Sequence, residues 1–134
     1  MSLFIDFIKF LFNPKGPKIH RVSAQTTLTI QNKWRVSIDL ALKTKKPSQL
    51  RQALITADKL LDAALKDVST GENMGERLKN AQKKFDWAVY DKLWKAHKVR
   101  NALVHDVSYE PTYFVLEEAL TDFKKGLESL GVYL

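Results

Sequence analysis

From Ser48 to Val68 the apolar positions Leu50, Leu54, Ala57, Leu61, Ala64, Leu65 and Val68 recur every three or four residues. That spacing places them on one face of a helix. Lys45-Lys46-Pro47 breaks the preceding pattern, in which Ile30, Trp34, Ile38, Ala41 and Leu42 also follow a helical period. The Ser/Thr-rich stretch Val22 to Ile30 fits either an extended or a helical conformation. Ser69-Thr70-Gly71 stops the helix that starts near Ser48. Asn73 with Glu76 three residues later has the form of a capping box, opening a short helix that carries Met74, Leu78, Ala81 and Phe85. A further helix is expected from about Trp87 to His105. Pro111 opens the last one, where Tyr113, Leu116, Leu120, Phe123, Leu127 and Leu130 alternate by three and four. No hairpin pattern interrupts this series. The expected fold is all-α, a bundle of four or five helices joined by short loops.

The first 13 residues stand apart. MSLFIDFIKFLF is apolar except for Asp6 and Lys9, and as a helix it has only a narrow polar edge. A span of a bilayer takes roughly 20 apolar residues, so this segment is too short to cross one. It has neither a basic leading region nor a small-residue cleavage site, so a secretory signal is not expected. Its apolar surface needs cover from its own domain, a partner subunit or a membrane interface. Residues 14–21 follow as a basic Pro/Gly linker, and residues 22–134 form the bundle domain. The expected location is the cytoplasm, with residues 1–13 offering peripheral attachment to the inner membrane face.

Composition narrows the classes. The 134 residues suit one domain, and 45% hydrophobic with 28% charged residues is the balance of a globular chain rather than a disordered one. The absence of cysteine excludes a disulfide framework, a zinc-thiolate site and a thiol nucleophile. Five glycines and four prolines are too few for the many turns of an all-β fold. The net charge of +7 is unevenly placed. Residues 13–46 hold eight basic groups against Asp39 alone, while residues 47–134 hold 13 of each sign. The N-terminal third therefore suits an acidic partner, nucleic acid or an anionic membrane surface, or else is a solvated basic face. Residues 1–46 also suit a partner protein.

The stretch Trp94 to Asp106, WKAHKVRNALVHD, is the richest in chemistry. At about 100° per residue, Val89, Leu93, Ala96, Leu103 and Val107 form a core stripe with Arg100 at its edge. Tyr90, Trp94, His97, Asn101, Val104, His105 and Ser108 form a second, aromatic and polar stripe. That surface suits a binding site or subunit interface, or simply an aromatic flank of the core. Arg100 on an apolar edge needs a partner, since an unpaired buried guanidinium is costly. Asp58, on the core stripe of its own helix, is the expected one. His20, His97 and His105 are too widely spaced for a metal set, and no cofactor motif is present. Lys79, Lys83 and Lys84 are expected as a solvated face, with RNA phosphate as the other use.

Arg100-Asn101-Ala102-Leu103-Val104-His105 resembles the R-polar-x-x-x-H motif of HEPN domains (higher eukaryotes and prokaryotes nucleotide-binding). ALITADKLLDAAL at Ala53 to Leu65, MGERL at Met74 to Leu78 and LWKAHKVRNALVHD at Leu93 to Asp106 extend the likeness to small bacterial-type members over about residues 48–130. The N-terminal 46 residues lie outside it. The resemblance implies a HEPN-like bundle. It also implies a metal-independent endoribonuclease in which Arg and His of two subunits line a shared cleft and the RNA 2′-OH attacks. Histidine as a residue type titrates near neutral pH, so His105 suits a general acid or base. Arg100 suits a phosphate clamp. Asn101, four residues before His105, is placed to orient it, and His97 one turn earlier to assist. Arg100 and His105 lie about 140° apart on the helix, so a catalytic pair requires the second copy of a homodimer. The resemblance also allows a non-catalytic interaction or regulatory module and, with less weight, a toxin-like partner of a nucleotidyltransferase-type antitoxin.

Overall fold

The computed structural model describes residues 21–134, and the expected N-terminal helix and linker (through residue 20) lie outside them. Five helices and no strand make up the described chain. Helix α1 runs Ala24–Lys33, passes without a break through a π-helical stretch Trp34–Asp39 and finishes as Leu40–Thr44. Then come α2 (Pro47–Val68), α3 (Met74–Asn80), a 3-10 turn (Gln82–Lys84), α4 (Trp87–His105) and α5 (Tyr113–Ser129). The expected all-α bundle is the observed fold.

Local chemistry explains where each helix begins and ends. Ser23 caps α1, its Oγ accepting from the Thr26 amide, which decides the open Val22 to Ile30 stretch as helix. Lys45 closes α1 in the left-handed region with φ of 56°, and Pro47 opens α2 at its first turn. Between α2 and α3, Gly71 has φ of 151°, and a Cβ there would meet the Arg77 amide at 2.8 Å, so glycine is required. The capping box of α3 is half as expected. Asn73 Oδ1 accepts from the Glu76 amide, but the Glu76 carboxylate takes the amide of Glu72 rather than that of Asn73. Helix α3 stops at Asn80, so Ala81 and Phe85, expected on it, reach the core from the turn beyond. Helix α5 starts one residue after its cap Thr112, with Pro111 just outside.

Helix α2 is the hub, packed on α1, α3, α4 and α5. All seven residues of its expected stripe are buried, together with Ala53 and Leu60. Ile30, Trp34, Ile38 and Ala41 of α1 and Leu116, Leu120, Phe123, Leu127 and Leu130 at the other side close the core over it. At the α2–α3 corner, Arg77 grips Asp62 through Nε and Nη2 at 2.7 and 2.9 Å and gives Nη1 to the Gly71 carbonyl. The Asp62 bond raises the guanidinium's already high pKa. Helices α4 and α5 meet closely where Gly126 faces Leu93: a Cβ at 126 would lie 2.5 Å from Leu93 Cδ2. No described helix is long and apolar enough to cross a membrane.

Candidate functional site

The core stripe of α4 is shorter than the periodicity suggested. Leu93 and Ala96 are fully buried and Val89 and Leu103 partly so, but Val107 is wholly exposed. The helix ends at His105, and Asp106 starts a turn in which its carboxylate takes both the amide and the hydroxyl of Ser108. Those two bonds lower the Asp106 pKa. Val107 and Ser108 therefore belong to neither face of the helix.

The second stripe divides into an inner and an outer part. Tyr90 is buried, Trp94, His97 and Asn101 are half-buried, and Val104 and His105 are exposed. The inner part converges with Asp58 of α2 into a ring of four side chains. His97 Nδ1–H donates to Asp58 Oδ1 at 2.8 Å. With Nδ1–H on Asp58, the neutral form of the imidazole presents Nε2 as an acceptor, and Asn101 Nδ2 lies 3.4 Å from it. Asn101 Oδ1 accepts from Arg100 Nη1 at 3.0 Å. The two contacts orient the amide consistently, nitrogen toward His97 and oxygen toward Arg100. Arg100 Nε closes the ring 3.4 Å from Asp58 Oδ2. This is ion-pair contact without hydrogen-bond alignment, so Nε stays buried without an acceptor.

The expected Asp58–Arg100 pair is thus present, but the closest partner of Asp58 is His97. Asp58 is only 4% exposed, so its charge needs these partners. Spacing revealed that Asp58 faces inward, and could not reveal which residue of α4 arrives opposite it. His105 is not brought into the ring. Its imidazole has no hydrogen bond or ion pair to a described residue, and Asn101, expected to orient it, is engaged by Arg100 and His97 instead. The two motif residues sit apart as their angular separation required: Arg100 half-buried against α2, His105 exposed in the last turn.

Chemically, the ring holds one imidazole in a fixed tautomer against a carboxylate, with a guanidinium beside it. Such a group can pass a proton through Nε2 while Arg100 neutralises a nearby anion. An aromatic row leads up to it along α4. Trp87, Tyr90, Trp94 and His97 follow with ring centroids 5.8, 6.3 and 6.0 Å apart. The row's outer member, Trp87, lay outside the expected stripe, although its three-residue spacing to Tyr90 was the signal that places it there. No protein-family model, curated protein or solved structure matches the chain.

Proposed function

We propose that this chain is a HEPN-like helical domain that acts as a homodimer and cleaves RNA without a metal ion. The observation that carries the reading is the ring itself: His97 held by buried Asp58, with Arg100 and Asn101 of the R-polar-x-x-x-H motif in contact with it. In this reading Arg100 clamps the scissile phosphate, and the imidazoles of His97 and His105 serve the 2′-OH and the leaving oxygen. His105, exposed and unengaged, is available to a cleft shared with a second copy.

A second reading rests on a specific feature of the same ring. Arg100 and His97 are both tied to Asp58, an arrangement that also locks α4 to α2 with no substrate involved. The chain then works as a HEPN-like interaction or regulatory module, the antitoxin-partnered form included, attached through residues 1–13 to an anionic membrane surface. Mixed RNA incubated with purified protein in EDTA separates the two. Cleavage by the wild type, lost by a factor of about 100 or more in Arg100→Ala, His97→Ala and His105→Ala, supports the nuclease. A folded dimer that leaves RNA intact refutes it and favours the module.

A further inference from the structure

Near the start of α4 the surface opens into a slot of about 320 Å³ lined by Gln82, Lys83, Phe85, Trp87 and Tyr90. Tyr90 is buried and is flanked by Phe85 at 6.4 Å and Trp87 at 5.8 Å between ring centroids. Trp87 is 68% exposed, the most exposed aromatic side chain of α4. An exposed indole beside two other rings offers a flat π face on which a planar group can stack.

Three aromatic rings also suit an ammonium guest, but Lys83 in the lining repels a cation. The same lysine complements a phosphate, and the Gln82 amide offers both a donor and an acceptor to a base edge. The slot and the ring of polar side chains both lie along α4. Trp87, Tyr90, Trp94, His97 and Asn101 succeed one another at intervals of three and four residues, on one face of one helix. Trp87 and Arg100 are separated by about 20 Å along that helix, a reach for several nucleotides of single strand.

We propose that the Gln82–Tyr90 slot binds a nucleobase of single-stranded RNA, stacked on Trp87 with its phosphate on Lys83, and so holds the strand whose phosphodiester reaches Arg100. The proposal rests on the RNA reading of the Asp58–His97–Arg100 ring and names the form of its substrate. Every base has a π face, so the slot selects single-stranded over double-stranded RNA and is tolerant of sequence.

The test uses a fluorescently labelled ten-nucleotide RNA with 2′-O-methyl groups, which removes the nucleophile so that binding is read without cleavage, followed by anisotropy. Trp87→Ala is expected to weaken binding about tenfold with the melting temperature unchanged, and Trp87→Phe to keep most of the affinity. A hairpin duplex of equal length binds wild type and Trp87→Ala alike. Equal binding of the single strand by wild type and Trp87→Ala overturns the slot, and leaves the nuclease reading standing if unmodified RNA is still cut. Binding lost in Trp87→Ala, with no cleavage of unmodified RNA by the wild type, supports the slot and overturns the nuclease. No binding by the wild type overturns the slot outright.

Discussion

Asp122 lies on α5 at the rim of a cavity of about 130 Å³ between α4 and α5, with Lys92, Lys95 and Glu118 around it. Burial pushes its carboxyl pKa up, and the neighbouring Glu118 adds to this, against the opposing pull of Lys92, Lys125 and Lys95. The folded protein therefore holds this proton more tightly than the unfolded chain does. Below the ordinary carboxylate range the group is neutral in both states. As pH rises through the raised value, the folded state must ionise a covered carboxyl, and stability falls. Asp122→Asn should then raise the melting temperature by ~1–3 °C at pH 7.5, an advantage that disappears on acidification. A pH series of thermal melts checks this, and a constant difference at every pH would contradict it. Asp58 was legible in the sequence because it interrupts the apolar stripe of α2. Asp122 interrupts its own stripe in the same way, between Ala119, Phe123 and Gly126, and the same reasoning would have found it. What no stripe gives is the pairing. That His97, and not Arg100, comes closest to Asp58 depends on how α4 is rotated against α2.

At the scale of whole helices, amphipathic period located α2, α4 and α5 closely because each buries one face against the others. Helix α4 is the instructive exception at its end. Its period continues in the sequence to Val107, but the chain leaves the helix after His105, because Asp106 and Ser108 satisfy each other in a turn. How near α4 and α5 approach is set by a residue no hydrophobic pattern marks. Gly126 lets the α5 backbone come against Leu93, and any side chain there must displace it. Gly126→Ala gains helix propensity of about 1 kcal/mol. The overpacking cost, about 1–3 kcal/mol, outweighs it. Chemical denaturation should show a net loss of roughly 1 kcal/mol, which the double variant Gly126→Ala/Leu93→Ala does not add to in full, because the two changes share one contact. Full additivity would place the strain elsewhere.

At the scale of the whole described chain, residues 47–134 balance their charges and the helix before them is basic. Among the described residues, the excess charge sits on Arg21 and on α1 and its exit, at Lys33, Arg35, Lys43, Lys45 and Lys46. The residues with site chemistry lie instead on α2 and α4, so net charge by itself says little about the ring. The proposal that it acts on RNA rests on side-chain identity. The π-helical stretch was not legible at all, since Ile30, Trp34 and Ile38 at four-residue intervals fit both an α and a π ladder. Yet it gives the fold an uneven tolerance to changes in chain length. A π turn carries one residue more than the α turn it replaces. Removing exposed Val36 from Trp34–Asp39 converts the stretch to α-helix and leaves the faces on either side in place. Removing exposed Lys59 from the middle of α2 turns every later residue by about 100° and takes Leu61, Ala64 and Leu65 off the core. The first deletion should cost on the order of 1 kcal/mol and the second abolish cooperative melting, as followed by circular dichroism. Equal collapse of both would refute this. Length variants of the protein should therefore be found in the first helix and not in the hub it covers.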